Sequence, residues 1–179
     1  IGPDNREDQK QLYEGGSYDV KENLFHKLLR PFLMLTERNK VSYLDVTGFT
    51  DRSILEIGCG KGRFLQAAKK SGNTVYALEP SRRSYSFAKQ LLGDNVFPIS
   101  LEQISEGHTL DCKFDIIVLW HVLEHLPDPA DALKKVTNLL ASNGTLLIAV
   151  PNMDSLQAKL GRENWYHLDP PRHLHHFTP

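Results

Sequence analysis

The sequence predicts an α/β fold, with a doubly wound, mostly parallel sheet and helices on both of its faces. Short apolar segments alternate with helical segments from residue 53 to residue 150, which is typical of strand–helix–strand units with parallel strands. The first apolar segment runs into three alternating glycines, Gly58, Gly60 and Gly62, and the second ends in an acidic residue, Glu79. Parallel sheets that bind a ligand beyond the carboxyl ends of their strands have both features.

The first strand is predicted over Ser53–Ile57, and the chain turns directly from it into the glycine run. Glycine allows the unusual dihedral angles of a tight turn and lets the backbone pass close to a ligand. The helix that follows, Arg63–Ser71, is closed by Gly72 and presents free N–H groups at its start. The run therefore predicts a ligand at the end of the first strand.

The second strand is predicted over Thr74–Glu79 and the third over Val96–Ile99. Ser81 is a suitable N-cap for the helix between them. Three residues lie on one face of that helix, namely Tyr85, Ala88 and Leu92. The pattern predicts a second strand–helix–strand unit.

The fourth and fifth strands are predicted over Lys113–Leu119 and Thr145–Val150, both as buried strands. Asp128 caps the helix between them, and Pro129 occupies its first position. The inward face of this helix is predicted to hold Leu133, Val136 and Leu140. A turn at Asn143–Gly144 then leads into the fifth strand.

One domain is predicted over residues 51–179, preceded by an N-terminal arm and covering helices over residues 1–50. Residues 1–18 are polar, and the apolar residues of 21–44 recur at roughly helical spacing, interrupted by Pro31. The last segment, residues 152–179, has few periodic apolar residues but holds four histidines. A loop of this length is usually functional or poorly ordered.

Bulk composition limits the classes of partner. The formal net charge is −1, which gives no electrostatic reason to expect nucleic acid or an anionic membrane as a partner. The sequence has no apolar stretch long enough to span a bilayer and no secretory signal pattern. Cys59 and Cys112 do not make a disulfide framework, so a reducing, cytoplasmic setting is expected.

The residues around the glycine run distinguish between cofactor classes. A carboxylate at the end of the second strand, Glu79, can accept hydrogen bonds from both hydroxyls of a ribose, which favours an adenosine-like ligand. A dinucleotide fingerprint requires a glycine or alanine where this chain has Arg63. A triphosphate loop requires serine or threonine after its lysine, but glycine follows Lys61. The pattern is instead an acidic residue followed by three alternating glycines.

Five successive motifs resemble those of class I S-adenosylmethionine-dependent methyltransferases. They are Glu56–Gly62, Glu79–Ser81, Phe114–Val118, Val122–Pro129 and Gly144–Asn152. The chain most resembles the branch that includes ubiquinone-type O-methyltransferases and many small-molecule and sugar methyltransferases. The resemblance spans residues 51–179. It implies a Rossmann-like fold, S-adenosylmethionine as cofactor with S-adenosylhomocysteine as product, and a small-molecule acceptor.

The resemblance also implies roles for residues around the first two strands. The backbone at Gly58, Cys59 and Gly60 would line the methionine part of the cofactor. Glu56 would help to fix the loop and the amino group of the cofactor. Glu79 would bind the ribose hydroxyls.

Further roles are implied for residues that follow the later strands. Pro80 would flank the adenine, and Leu101 and Glu102 fall where the family contacts the same ring. Trp120 and His121, at the end of the fourth strand, fall beside the transferable methyl group. The resemblance thus places the whole site at one edge of the sheet.

The chain differs from the family at its C-terminal end. Such domains usually carry two further strands that end in an antiparallel hairpin, whereas this chain stops at Pro179, where the family begins its next helix. We therefore expect a sheet that lacks the last C-terminal strands. Such a sheet has an exposed edge that invites pairing.

Methyl transfer to a hydroxyl requires a group that takes the proton, and histidine suits that task. His121 is the first candidate because it lies at the mouth of the predicted sheet. His125 and His173 are further candidates, together with the remaining tail histidines, His167, His175 and His176. For each, the structural alternative is a loop histidine that bonds a backbone carbonyl.

The segment from His121 to His125 also matches H-x-x-E-H, a zinc metallopeptidase pattern. That pattern requires a long helix, whereas Pro127 and Pro129 end any helix here within one or two turns. Some ubiquinone-type O-methyltransferases that resemble this segment carry a divalent metal on acidic residues and a histidine. Because His121 replaces one of those acids, no metal is predicted.

The tail and the arm are predicted to complete the site. Arg172 can grip an acidic group of the acceptor or pair with Asp169 inside the loop. Tyr13 and Tyr18 of the arm are candidates for a lid over the cofactor. The predicted function is methyl transfer from S-adenosylmethionine to a small molecule, at oxygen. The alternatives are an NAD-dependent dehydrogenase or epimerase and a non-catalytic cofactor-binding domain.

Overall fold

The computed structural model describes residues 50–106, 110 and 112–179. Its strands and helices, in chain order, are β1 Ser53–Ile57, α1 Arg63–Lys70, β2 Thr74–Leu78, α2 Arg82–Leu92, β3 Val96–Phe97, β4 Phe114–Trp120, α3 Pro129–Leu139, β5 Leu140–Ala149 and α4 Leu156–Gly161. Among these described helices, none has the length and apolar character needed to cross a bilayer. The predictions for residues 1–49, including the lid of Tyr13 and Tyr18, lie outside the described residues.

The five strands form one parallel sheet in the order β3-β2-β1-β4-β5. The chain builds outward from β1 to β3 and then returns to the other side of β1 with β4. This order confirms the predicted doubly wound, parallel sheet. It also leaves β1 at the centre, with only Ser53 partly exposed.

Helices cover both faces of the sheet, as predicted, because successive side chains of a strand point to opposite faces. On one face, Ile54 and Ile116 belong to a core that includes residues of α1 and α2. On the other face, Leu55 and Ile117 form a core with Val136 of α3. Full burial of an aliphatic side chain contributes roughly 1.5–3 kcal/mol. Two cores therefore fix the positions of β1 and β4, whose carboxyl ends carry the glycine run and the histidine.

Two helices begin where the local capping chemistry predicts. The Ser81 hydroxyl accepts a hydrogen bond from the N–H of Ser84 at 3.5 Å. Asp128 Oδ1 accepts one from the N–H of Asp131 at 2.9 Å, and Pro129 occupies the first position of α3. In both cases a side-chain oxygen satisfies an N–H group that has no partner within the helix. Both predicted caps are confirmed.

Two predictions for the connection between α3 and β5 are wrong. Leu140 does not lie on the inward face of α3, because the helix ends at Leu139 and Leu140 already pairs with Phe114. The buried residues of α3 are Ala132, Val136 and Leu139. The predicted turn at Asn143–Gly144 lies within β5, at an irregularity where the pairing with β4 shifts. An irregularity of this kind accommodates extra residues without ending the strand.

The fifth strand is also not buried on both faces. Its residues are half-buried or exposed, and the side chain of Ile148 is 38% exposed. Within the described residues, β5 pairs with β4 alone. The apolar run predicted a strand, but the burial of a strand depends on neighbours that the run does not specify. The third strand is likewise shorter than predicted, with only Val96 and Phe97 paired.

The tail folds back toward the carboxyl ends of the strands. A parallel bridge joins Asn152 to Phe177, and the N–H of Met153 donates to the Phe177 carbonyl at 2.8 Å. The N–H of Leu174 donates to the Glu124 carbonyl at 2.8 Å. These bonds hold the tail against the segment that follows β4, where the predicted site lies.

Candidate cofactor and active site

The candidate site lies at the carboxyl ends of β1, β2 and β4. Strand order reverses at β1, because β2 lies on one side of it and β4 on the other. An open parallel sheet leaves a ligand-binding crevice at such a point. The glycine run, Glu79 and His121 all follow strands that end at this edge. The sheet thus brings together residues that lie far apart in the sequence.

The three glycines of the run have positive φ angles, 69° at Gly58, 55° at Gly60 and 71° at Gly62. A Cβ atom on Gly58 would lie 2.7 Å from Val122 Cγ2, and one on Gly62 would lie 3.0 Å from Leu92 Cδ1. A Cβ atom on Gly60 would meet no atom within 4 Å. Packing inside the protein therefore requires two of the glycines, whereas Gly60 faces open space.

Glu79 is buried, and its carboxylate holds the glycine run in place. Oε2 accepts a hydrogen bond from the N–H of Gly60 at 2.7 Å, and Oε1 accepts one from the N–H of Ser81 at 2.8 Å. Burial raises the pKa of Glu79, and the two hydrogen bonds offset only part of that rise. A carboxylate offers about four lone-pair sites. Two such bonds therefore leave it able to accept hydrogen bonds from a ligand.

Glu56 and Cys59 lie at the end of β1 and within the run, and both are buried. Burial raises the pKa of the Cys59 thiol, and the nearby charges of Glu56 and Glu79 raise it further. Because the thiolate is the reactive form, Cys59 is a poor nucleophile. This agrees with a role for its backbone only. The contacts of Glu56 and Cys59 with a cofactor stay predictions.

The residues predicted to lie near an adenine ring follow β2 and β3. Pro80 is exposed beside Glu79, and Glu102 is half-buried at the start of a short 3-10 helix. Leu101 is buried in the core on the α3 face of the sheet. The side chain of Leu101 therefore contributes to packing, and its backbone remains for any contact with a ligand.

His121 directly follows β4 and has a φ of 54°. A positive φ costs a residue other than glycine roughly 1–2 kcal/mol, and such strain is concentrated at functional sites. The N–H of His121 donates to the Ala149 carbonyl at 2.9 Å, which fixes this backbone at the end of the sheet. Its side chain is 47% exposed. The preceding Trp120 packs edge-on against Phe64, with ring centroids 5.8 Å apart.

Glu124 was not assigned a role from the sequence, and the structure places it in the centre of the site. It is 0% exposed and lies in a single 3-10 turn, Leu123–His125. Its Oε1 lies 3.4 Å from His121 Nδ1. Burial by itself raises the pKa of Glu124. His121, the backbone N–H of Glu124 and the charge of His125 together lower this pKa by more than burial raises it, so the net shift is downward. The glutamate of the H-x-x-E-H pattern was the available signal.

The structure brings His125 and His173 together beside Glu124. Their ring centroids are 4.6 Å apart and their planes are nearly perpendicular, at 73°. His125 Nδ1 lies 2.9 Å from the Arg172 carbonyl oxygen, and His173 Nδ1 lies 2.7 Å from that of His167. Burial lowers the pKa of His125, which favours its neutral form. Both histidines therefore make the contact expected of loop histidines with a structural role, which is a hydrogen bond to a backbone carbonyl.

The tail forms an aromatic wall beside His121, made of Trp165, Tyr166 and His167. The His167 ring stacks between those of His121 and His173, at centroid distances of 5.9 and 6.3 Å. Trp165 and Tyr166 contact the same ring at 5.4 and 5.2 Å. Burial lowers the pKa of His167, and the charges of His121 and His173 lower it further.

The remaining polar residues of the tail are engaged in local contacts. Arg172 Nη2 lies 2.7 Å from Asp169 Oδ1. Of the two roles considered for Arg172, the structure contains the ion pair with Asp169 inside the loop. His175 Nε2 lies 3.3 Å from the Pro127 carbonyl oxygen, and His176 is exposed. Of the three first catalytic candidates, His125 and His173 contact each other, whereas His121 is linked to His173 through the His167 ring. Their catalytic roles stay predictions.

The H-x-x-E-H segment does not form a metallopeptidase helix. His121 has a positive φ and lies outside any helix, and the helical part is the single turn Leu123–His125. Pro127 and Pro129 follow it directly. The two histidines therefore do not share a face of one long helix, as that class of enzyme requires.

Comparison with known proteins finds that the chain is similar to methyltransferases. A family model described as "Methyltransferase domain" matches residues 20–179. The ubiquinone biosynthesis O-methyltransferase of Histophilus somni is 29% identical over 112 residues, which cover 59% of this chain and 47% of that protein. The protein of the same name from a Caulobacter species is 32% identical over 126 residues, which cover 65% of this chain and 49% of that protein. The chain thus spans about half the length of these relatives.

Solved structures share the fold at lower sequence identity. A S-adenosylmethionine-dependent methyltransferase from Thermotoga maritima matches with a TM-score of 0.67 and 22% identity, covering 95% of this chain and 74% of that one. Magnesium protoporphyrin IX methyltransferase from Synechocystis, solved with bound S-adenosylhomocysteine, matches with a TM-score of 0.66 and 19% identity, covering 96% and 77%. These likenesses confirm the predicted Rossmann-like fold.

Proposed function

Because the chain belongs to the methyltransferase-domain family, we propose that it binds S-adenosylmethionine and transfers the methyl group to an oxygen atom of a small-molecule acceptor. The observation that carries this proposal is the open space at Gly60 beside the buried carboxylate of Glu79. The names of the relatives, which specify O-methylation, support oxygen as the methylated atom.

The residues at the strand ends fit a cofactor of this kind. Gly60 leaves room for a ligand against the backbone, and the free lone pairs of Glu79 suit a pair of ribose hydroxyls. Glu56 would lie near the amino group of the methionine part. The adenine would be flanked by Pro80, Leu101 and Glu102. The same residue set gives no support to the NAD-dependent alternative, since Arg63 stands where a dinucleotide fingerprint requires a small residue.

When bound, S-adenosylmethionine supplies a methyl group that is already activated on a sulfonium. The chain has to align the acceptor, exclude water and take the acceptor's proton. His121 is suited to the last task, because it directly follows β4 and about half of its side-chain surface is exposed. The Glu124 carboxylate beside Nδ1 favours a proton on that nitrogen, which leaves Nε2 to accept the proton of a hydroxyl.

The aromatic wall indicates the class of acceptor. His167 lies against His121, and Tyr166 is 74% exposed and therefore available to a ligand. Aromatic side chains favour flat apolar groups that stack or pack edge-on. A phenol combines such a ring with the hydroxyl that the proposed chemistry requires. We therefore place small phenolic compounds first among the acceptors.

A reducing, cytoplasmic setting is part of the proposal. Cys59 and Cys112 are not disulfide-bonded, and Cys112 is exposed. Exposed thiols of this kind persist most readily where the redox environment keeps them reduced.

The domain boundary at residue 51 likewise stays a prediction.

Calorimetry with S-adenosylhomocysteine and with NAD tests the proposal. We expect S-adenosylhomocysteine to bind with a dissociation constant of about 1–100 μM, within the range common for enzyme ligands, and NAD to give no measurable heat. Binding of NAD alone would favour a dehydrogenase or epimerase and overturn the proposal. Binding of S-adenosylhomocysteine without methyl transfer to any member of a phenol panel would favour a non-catalytic binding domain.

Gly60→Ala is expected to weaken S-adenosylhomocysteine binding by at least about 10-fold, because its methyl group enters the open space. Gly72→Ala is the matched control. Gly72 also has a positive φ, 86°, and an added Cβ there meets no atom within 4 Å, but it lies in the turn after α1. Both variants should lose roughly 1–2 kcal/mol of stability, measured by thermal unfolding. Equal cofactor affinity in the two variants would contradict the placement of the cofactor at Gly60.

A further inference from the structure

Three side chains with metal-ligating atoms converge beside His121. Glu124 and His125 come from the turn after β4, whereas His173 comes from the tail. Each offers one ligand atom, and these atoms all lie within 4.8 Å of one another. Zinc holds nitrogen and oxygen ligands at about 2.0–2.2 Å. Small side-chain adjustments are therefore enough to bring the three atoms onto one ion.

Both histidines are held as metal-ligating histidines usually are. Nδ1 of His125 is hydrogen-bonded to the Arg172 carbonyl oxygen, and Nδ1 of His173 is hydrogen-bonded to the His167 carbonyl oxygen. Because a carbonyl oxygen only accepts, each Nδ1 carries a proton and the lone pair of the neutral ring lies on Nε2. A backbone carbonyl that fixes the tautomer and the ring in this way is a common outer partner of a ligating histidine.

The buried carboxylate is the second, independent observation. Glu124 is 0% exposed, and neither of its oxygens accepts a hydrogen bond of normal geometry from the described residues. His121 Nδ1 lies 3.4 Å from Oε1 and compensates the carboxylate only in part. A buried carboxylate is costly unless it is hydrogen-bonded, paired or bound to a metal. A cation between Glu124 and the two rings would supply that compensation.

The donor set differs from the metal set that the resemblance implies. That set consists of acidic residues and a histidine, and His121 stands where one of the acids is expected. Sites rich in carboxylate oxygens suit magnesium. Two imidazoles and one carboxylate instead suit zinc and similar transition metals, and three protein ligands leave a coordination position open. The implied set therefore does not fit this chain, and His173 is the residue that changes the class of site.

We propose that Glu124, His125 and His173 form a binding site for a divalent transition metal of the zinc class. The proposal departs from the prediction, made from the sequence alone, that no metal binds. It concerns binding and does not depend on methyl transfer.

Zinc titration of the chelator-treated full chain, without an affinity tag, tests the site. We expect one equivalent of zinc to bind, and magnesium at about 100-fold excess not to displace it. His173→Gln and His125→Gln should each weaken zinc binding by at least about 10-fold. His176→Gln is the matched control, because His176 is exposed and its ring centroid lies 6.5 Å from that of His173. It should keep wild-type affinity.

Cobalt substitution adds a spectroscopic readout. The visible absorption of bound cobalt should change in His173→Gln and stay as in wild type in His176→Gln. Calorimetry with S-adenosylhomocysteine on every variant shows whether the chain is folded and separates failure of the metal site from failure of the proposed function. Zinc affinity that is unchanged in both His173→Gln and His125→Gln, or magnesium binding as tight as zinc binding, would overturn the proposal.

Discussion

Replacing Glu79 by alanine is expected to weaken binding of S-adenosylhomocysteine by about 100-fold or more. The carboxylate is proposed to accept hydrogen bonds from two ribose hydroxyls, and hydrogen bonds to a charged group contribute about 1.5–3 kcal/mol each. Loss of both removes about 3 kcal/mol or more, and each 1.4 kcal/mol is roughly tenfold in affinity. Calorimetry on the purified variant measures the loss directly.

A second effect adds to the first, because the substitution also releases the glycine run. The N–H of Gly60 loses its partner at 2.7 Å and the N–H of Ser81 loses its partner at 2.8 Å. Glu79→Gln keeps the length of the side chain but offers one accepting oxygen in place of two. Its affinity should therefore lie between those of the wild type and the alanine variant.

Glu163→Ala is the control for the loss of a carboxylate. Glu163 is exposed in the 3-10 turn that follows α4, so this variant should bind S-adenosylhomocysteine as the wild type does. Wild-type affinity in Glu79→Ala would rule out the ribose role and with it the central contact of the proposed site.

The burial of Glu79 also has a stability consequence of known sign. Its pKa in the folded chain is raised by burial above the ordinary glutamate value, so the ionised form is less favourable in the folded chain than in the unfolded one. The stability that the group contributes is present below the ordinary pKa and is lost as the pH rises through the raised value. Above the raised value the chain thus keeps a carboxylate that lowers its stability, which agrees with a binding role.

The sequence predicted the elements whose signals are local. The bounds of β1 agree with the predicted Ser53–Ile57, and the caps at Ser81 and Asp128 are as expected, since a cap is made within one turn of chain. The burial of β5 was predicted wrongly because it depends on which strands lie beside it. An apolar run such as that of residues 145–150 is compatible with a central strand or with an edge.

The candidate site could also be predicted in part, again where the sequence signal does not depend on the path of a distant segment. Glu79 and His121 were found because they directly follow parallel strands, and the carboxyl ends of parallel strands meet at one edge of the sheet. The contact of His173 with Glu124 and His125 depends on the path of the tail, which the Glu124 carbonyl fixes through the N–H of Leu174. No spacing rule relates residues that are joined in this way, so the cluster appears only in the structure.

Replacing His121 by alanine is expected to lower kcat for methyl transfer to a phenol by about 100-fold or more, within the range for removal of a general base. The ring nitrogen that would take the hydroxyl proton is lost, whereas Glu79 and the glycine run, which are the proposed contacts of the nucleoside, remain. Affinity for S-adenosylhomocysteine should therefore change far less than kcat. His121→Gln should show a similar loss, because an amide is polar but does not take up a proton.

The acidity of the acceptor decides whether His121 acts as a base. A phenol that is already ionised at neutral pH needs no base, so the ratio of wild-type kcat to that of His121→Ala should fall toward one as the acceptor pKa falls. His176→Gln should match the wild type with every acceptor, because His176 is exposed. An equal loss across the series would mean instead that His121 positions the acceptor. The base would then be sought at His167, whose ring stacks on that of His121 at 5.9 Å.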